Sequence, residues 1–508
     1  MHQRVSRFVT IALLALSAPL RAENAKAPQP PSPFIQCDGS KGHASGLELA
    51  GQILAITATA GLAGDFISKD DGNTDKRLDG LPGAAACDAA LRLETNELRR
   101  VQLGFARTIH DIEGKDLPAA LTSVRAIAAL GGTLQQDWAF QQSAGSSIAY
   151  LEAVIHARMG NAELAEQAAI RSVQAAPYDL LAATRARAFL HLGHGMAPEK
   201  RAVLDAMLRM SPQNLEDRAE HLAWVGDYAA ASADIGTVMP AFDGFFKTRR
   251  PGGWDALQSV YALMAGNIAE SDMLAKRART EIDAWVAEGG GNGIASAEEF
   301  LAFQGMGRLL ADKRAPEAAA IFNAHGKWVW VPASVTADML ERLQKALPPA
   351  ARTGAAAEDP KAIREAATRQ LLAALSKEDD VATLYITVSN IVRVTDYDGL
   401  RRAIDKVGVK PRFLLPADPK DPLSLEAIDT RPRIYGLPSG EALLLHAALI
   451  AKARGKTGFK MIPRRKYINF AALIFGNIGE PGFPAATTYD AHAVFEALSP
   501  HFPLPPTR

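Results

Sequence analysis

Two histidines, His191 and His194, stand three residues apart, a spacing that presents both imidazoles on one face of a helix. Such a pair can bind a metal when a carboxylate or a thiolate completes the ligand set. No carboxylate or cysteine directly flanks the pair, and Gly193 and Gly195 indicate a helix end. We therefore expect no metal site here and predict two solvent-facing histidines, whose charged form the helix dipole favours.

Three further patterns are similar to catalytic or ligand-binding motifs. The segment 436–440 (GLPSG) has the glycines of a nucleophile elbow, but proline occupies its centre, so we predict that Ser439 caps a helix. The glycine-rich run 289–293 lacks the Lys-Ser/Thr of a phosphate loop and predicts a connection between helices. His446 lies in an apolar helix, which favours a buried structural histidine. We expect no catalytic residue, no cofactor site and no metal site.

The two cysteines, Cys37 and Cys87, are the only ones in the chain. An even number in an exported protein favours a disulfide between them. Closing a loop of this length would stabilise the fold by roughly 4 kcal/mol in the chain-entropy model. The alternative is a pair of free, buried thiols.

A basic cluster, Arg464, Arg465 and Lys466, falls between two predicted strands, with Lys456 and Lys460 nearby. A cationic strand connection can attract an anionic envelope polymer, lipid head groups or an acidic partner. The alternative is a solvated turn whose charges discourage aggregation at the sheet edge.

Residues 1–22 have the composition of a secretory signal peptide: a basic start, an apolar run over 8–18 and small residues before position 23. We therefore expect export to a periplasm, and no membrane span after signal cleavage. Formal net charge is zero, with 48% hydrophobic and 22% charged residues. This balance is typical of a folded protein and argues against a nucleic-acid binder, which needs a basic face.

Four segments follow the signal peptide. Residues 23–94 predict a Pro-rich tether and a loop-rich part tied down by the disulfide. Residues 95–347 contain helix-length segments separated by short breaks, which indicates a helical-repeat domain. Residues 348–379 predict a linker and a helix. Residues 380–508 predict a small α+β domain, so the fold class is mostly α, an α-hairpin solenoid followed by that domain.

The repeat segment resembles the tetratricopeptide family. That family places a small residue in the first helix, Gly at the turn, Ala five residues later and a closing Pro; here these are Ala153, Gly160, Ala165 and Pro177. The same offset of five joins Gly114 to Ala119, Gly226 to Ala231, Gly266 to Ser271 and Lys313 to Ala318. The resemblance implies close helix contacts at Ala165 and Ala119. Another helical-repeat class, or an irregular helical domain, is the alternative.

In the C-terminal domain, β-branched residues predict a strand over 381–388, and further strands are predicted over 459–462 and 468–475. Helices are predicted over 442–454 and 489–498. The Ala/Leu helix, its Arg-Gly stop and the following strand are similar to an ending of some proteobacterial envelope proteins of unknown role, which implies envelope localisation only.

These expectations describe an exported, periplasmic helical-repeat protein that binds a protein or peptide partner, or acts as a scaffold, in the cell envelope. An envelope hydrolase with its site in the C-terminal domain is the alternative from another class. A structural envelope protein without a ligand groove is the third possibility.

Overall fold

The computed structural model describes residues 31–39, 76–193, 195–210, 214–242, 252–290, 293–378, 384, 414–415, 427–428, 439–463, 471–480 and 482–501. Within these ranges the chain is mostly helical, with a small three-stranded antiparallel sheet near the C-terminus. The expected fold class is thereby confirmed. The predicted signal peptide lies outside the described residues.

The N-terminal and central helices are α1 (Pro33–Asp38), α2 (Gly80–Leu93), α3 (Glu97–Glu113), α4 (Leu117–Leu130), α5 (Ser146–Arg158), α6 (Ala162–Ala175), α7 (Leu180–Ala186), α8 (Pro198–Met210), α9 (Asn214–Trp224), α10 (Tyr228–Phe242), α11 (Gly253–Met264), α12 (Ile268–Ala287), α13 (Ala295–Ala311), α14 (Ala315–His325), α15 (Ala333–Ala346) and α16 (Pro360–Glu378). From α2 to α6 and from α11 to α15 the helices follow one another closely, while residues 40–75 and 243–251, between neighbouring helices, lie outside the described residues. Sequential pairs such as α3–α4, α5–α6 and α11–α12 pack against each other as hairpins. A π-helical turn, Gln141–Gly145, leads into α5, and a 3-10 turn, Arg187–His191, continues α7.

Five hairpin turns share one backbone construction. Each contains one residue with positive φ, and the next residue donates its N–H to a carbonyl five positions back at 2.8–2.9 Å. This is the Schellman hydrogen bond, which satisfies a carbonyl that the helix end would leave unpaired. The positive-φ residues are Lys115, Gly160, Gly226, Gly266 and Lys313.

A small, fully buried residue stands five positions after each of these positive-φ residues. These residues are Ala120, Ala165, Ala231, Ser271 and Ala318. Since a small side chain lets two helix backbones approach closely, the offset marks the contact point of each hairpin.

The sequence-based register was wrong by one residue at the first hairpin. Ala119 is only half-buried, whereas Ala120 is fully buried. Gly114 ends α3 with φ of −68°, and Lys115 takes the left-handed conformation at 61°. The prediction placed Gly114 in the left-handed conformation, because glycine adopts it without a steric clash. Lys115 adopts that conformation instead.

The C-terminal part contains α17 (Ser439–Ala453), α18 (Ala491–Leu498) and five strands: β1 (Leu414–Leu415), β2 (Ala427–Ile428), β3 (Gly458–Pro463), β4 (Ala471–Gly476) and β5 (Tyr489–Asp490). The larger sheet has the order β4-β3-β5, and β3 pairs antiparallel with β4 from Gly458 opposite Gly476 to Pro463 opposite Ala471. Both predicted helices are present, and the two predicted strands are confirmed over 459–462 and 471–475, while 468–470 lie outside the described residues.

Two details of the C-terminal prediction were wrong. Tyr489 lies in a strand, and the last helix begins after Asp490, whose side chain accepts the N–H groups of His492 and Ala493 as a cap. Leu384, the one described residue of the predicted strand over 381–388, is helical and buried. At Leu384 the local β-propensity did not decide the conformation, because it is a weak preference that packing can override; the rest of 381–388 lies outside the described residues.

Two large hydrophobic cores organise the described chain, beside two small clusters around Cys37 and Leu208, and the large cores do not follow the order of the sequence. The first joins buried residues of the segment 101–210 to buried residues of the segment 375–498. The second consists of residues from 219–356. Helix α16 contributes to both, because Ile363 packs on the second core and Leu375 belongs to the first. The C-terminal part therefore packs on the early hairpins, while its independent folding stays a prediction.

No helix in the described ranges has both the length and the apolar composition needed to cross a membrane.

Candidate functional site

The predicted disulfide is present. Cys37 in α1 and Cys87 in α2 are fully buried and bonded, with their Cα atoms 4.6 Å apart. Two further contacts hold α1 in place: the Arg99 guanidinium pairs with Asp38, and Nε2–H of His110 donates to the Cys37 carbonyl oxygen at 2.6 Å. The disulfide thus belongs to a buried anchor for the N-terminal segment.

The basic cluster Arg464, Arg465 and Lys466 lies outside the described residues, in the connection 464–470 between β3 and β4. Its flanking strands are paired as expected, with Pro463 opposite Ala471. Lys460 is half-buried, its Nζ lies 5.8 Å from the ring centre of Phe483, and burial lowers its pKa. The role of the cluster in anion or partner contact stays a prediction.

The prediction for His191 was wrong, and His194 lies outside the described residues. The His191 ring stacks on that of His221 at 4.0 Å. Burial lowers the pKa of His191 to about 4 and that of His221 well below its ordinary value. Burial thus favours the neutral form of both rings, and the stacking partner on α9 is one that sequence spacing cannot reveal. In the part of the chain that the structure describes, no three His, Cys, Asp or Glu side chains converge as metal ligands.

The other motif residues have structural roles where they are described. His446 is buried in α17, as expected of a core histidine, but within the described residues its Nδ1 has no hydrogen-bond partner, and burial lowers its pKa to about 4. Ser439 is the first residue of α17, while 436–438 lie outside the described residues. Gly289 and Gly293, with φ of 83° and 92°, belong to the connection between α12 and α13, as expected.

A different segment, the loop 326–332 between α14 and α15, presents large apolar side chains to solvent. We call it the Trp330 loop. Val329 is 74% exposed and Trp330 is 56% exposed. Both side chains therefore offer apolar surface that a partner could bury.

The Trp330 loop is anchored on both sides of its exposed residues. The buried carboxylate of Glu299 accepts the N–H of Trp330 at 2.5 Å and the N–H of Val331 at 3.0 Å. Trp328 stacks on His325 at 3.9 Å and meets the Phe303 ring edge-on at 4.9 Å. These contacts fix the backbone, so Val329 and Trp330 are presented in a defined arrangement.

The sequence carries a signal for this site. The run 328–331 (WVWV) is apolar, although it stands between Gly326 and Pro332, where connections between helices are ordinarily polar. Packing of the half-buried Trp328 and burial of Val331 explain part of the run, but Val329 and Trp330 remain exposed. The supporting carboxylate, Glu299, is distant in sequence and could not be assigned from spacing.

No protein-family model, curated protein or solved structure matches this chain.

Proposed function

We propose that this chain is an exported, periplasmic helical-repeat protein of the cell envelope that binds a protein or peptide partner through the Trp330 loop. The observation that carries the proposal is the exposure of Val329 and Trp330 on a loop whose backbone is anchored by Glu299. The tetratricopeptide resemblance is part of the same proposal, since stacked hairpins commonly present extended surfaces to proteins.

The energetics favour a protein partner over solvent at this loop. Complete burial of one large apolar side chain is worth about 1.5–3 kcal/mol relative to exposure. Tryptophan is enriched among the few residues that dominate binding energy at protein interfaces. Because Glu299 and the stacked Trp328 already order the backbone, binding would lose little further conformational entropy.

Export is supported by two independent features. The basic and apolar composition of residues 1–22 is typical of a signal peptide. The Cys37–Cys87 disulfide is of a kind that persists in oxidising compartments such as the periplasm.

The hydrolase alternative is not favoured by the described residues of the C-terminal part. Three groups there have strongly shifted pKa values: Glu441, His446 and Tyr489. All three side chains are buried, so none of them can touch a substrate as they are placed.

Site-specific photo-crosslinking tests the proposed function. A photoreactive amino acid replaces Trp330 in one variant and Met273 in another; Met273 is 58% exposed on α12 and serves as the matched control. In envelope preparations, we expect position 330 to form a discrete crosslinked species and position 273 to form none. Purified partner should bind Trp330→Ala at least about tenfold more weakly, and Met273→Ala nearly normally. Equal crosslinking at both positions, or equal affinity of both alanine variants, would contradict a role for this loop.

A further inference from the structure

A carboxyl group is buried without a hydrogen-bond partner where the C-terminal part meets the early hairpins. Glu441, the third residue of α17, is 1% exposed. Within the ranges that the structure describes, neither of its carboxyl oxygens has a hydrogen-bond partner. An ionised carboxylate in such a place would lose its hydration without compensation, which is strongly unfavourable.

An acid of the hairpin segment, Asp179, acts on Glu441 through its charge. Asp179, which precedes α7, is buried and accepts the N–H of Ala182 through Oδ2 at 3.1 Å. Burial first, and the charge of Asp179 second, raise the pKa of Glu441 to about 8. The backbone N–H of Glu441 lowers this pKa, but by less than the other two effects raise it.

The other polar groups at this contact do not neutralise Glu441. Tyr489 of β5 has a buried hydroxyl that finds no hydrogen-bond partner among the described residues. Burial raises its pKa, Arg209 of α8 lowers it, and Tyr178 and Glu441 raise it further. The Arg209 charge therefore acts on Tyr489 without a hydrogen bond between them. Within the described chain, Glu441 makes no ion pair.

We propose that a proton on Glu441 controls docking of the segment 439–501 onto the hairpins α6 to α8: the protonated carboxyl stays buried beside Asp179, and the ionised carboxylate drives the two surfaces apart. The contact is substantial, since Tyr489, Leu444 and Phe459 share one hydrophobic core with residues of α6 and α8. Glu441 thus sets the pH range in which that core is complete.

The direction of the pH effect follows from linkage. In the released state Glu441 faces water and titrates near 4.5, its ordinary value, whereas in the docked state its pKa is about 8. The docked state therefore holds the proton more tightly, and docking weakens as pH rises between these values, by about tenfold per pH unit. Below pH 4.5 the contribution of Glu441 is complete, and above about pH 8 it is fully lost.

Histidines at the same contact act in a different pH range. Burial lowers the pKa values of His446 and of His501, whose ring stacks on Trp138 at 4.3 Å. A base with a lowered pKa stabilises docking above its ordinary value of 6.5 and loses that contribution as pH falls. Measurements between pH 6.5 and 8.5 therefore report mainly on Glu441.

The test measures the distance between spin labels at Gln174→Cys on α6 and Ala497→Cys on α18, both exposed positions, in the full mature protein with its disulfide intact. The urea concentration that halves the docked distance population is determined at pH 6.5, 7.5 and 8.5. We expect this midpoint to fall with pH in the wild type and to remain constant in Glu441→Gln. Helical content from circular dichroism on the same samples should persist when the docked distance is lost.

A second variant keeps the test decisive if Glu441→Gln does not dock. Asp179→Asn retains an oxygen that can accept the Ala182 N–H but removes the charge beside Glu441, so it should dock more strongly than wild type at pH 8.5. A pH-independent midpoint in the wild type overturns the proposal. So does an unchanged pH response in Glu441→Gln, docking of Asp179→Asn no stronger than that of the wild type at pH 8.5, or loss of helix together with loss of docking.

Discussion

Lys200 and Glu166 form a buried ion pair that joins α8 to α6, with Nζ and Oε1 2.5 Å apart. Lys200 is only 2% exposed, and burial lowers its pKa although Glu166 opposes the shift. The same Glu166 oxygen accepts the N–H of Gly193 at 3.2 Å, and Nζ of Lys200 lies 3.4 Å from the Gly193 carbonyl oxygen. The pair thereby fixes the connection before α8, next to the surface on which the C-terminal part docks.

Removing one member of this pair should be more harmful than removing both. Lys200→Met leaves the Glu166 carboxylate buried and uncompensated, and we expect a loss of about 3–5 kcal/mol in the free energy of unfolding. The double variant Lys200→Met with Glu166→Leu should recover much of that loss, because neither charge remains to be desolvated. Urea unfolding at neutral pH measures both values. A double variant no more stable than Lys200→Met would contradict this account.

The first hairpin tests the corrected repeat register. Ala120 is fully buried against α3, whereas Ala119 is half-buried one position away. Leucine at 120 should overpack the contact and lower the free energy of unfolding by about 1–3 kcal/mol, and so should Ala165→Leu at the second hairpin. Ala119→Leu, the matched control, should change it by less than about 0.5 kcal/mol. Equal effects at positions 119 and 120 would show that the offset from Lys115 does not define the contact.

The sequence predicted the features that depend on local chemistry, and missed those that depend on distant partners. Small residues after Gly160 and Gly226 identified hairpin contacts because a turn and its contact lie within five residues. The neutral stack of His191 on His221 requires two hairpins to meet, which neither segment encodes alone. The local sequence places Glu441 only at the start of a helix, since its burial and the charge of Asp179 near it come from the tertiary structure.

The shared first core also gives an expectation for cleavage of the predicted linker. Residues 349–357 form two short 3-10 turns, Pro349–Ala351 and Gly354–Ala357, before α16. We expect limited proteolysis to cut within 348–360 and to leave two protected fragments. These fragments should elute together in size-exclusion chromatography at pH 6.5, because residues 101–210 and 375–498 bury one another. Simultaneous decay of both fragments would count against the boundary, and separate elution would count against the shared core.

The last prediction concerns Arg464, Arg465 and Lys466, which we expect to contact an anionic envelope component if the protein binds one. Attraction between exposed charges weakens as salt screens it over about 10 Å at 0.1 M ionic strength. The triple change to alanine should therefore reduce retention on vesicles containing anionic lipid, or on purified peptidoglycan, at low salt, and the difference should vanish at high salt. Surface substitutions ordinarily change stability by less than about 0.5 kcal/mol, so circular dichroism should remain that of the wild type.

A matched control changes Arg314, an exposed arginine paired with Glu317 on α14, to alanine. Unchanged retention of the triple variant, or an equal loss in the control, would leave the cluster as a solvated turn between β3 and β4.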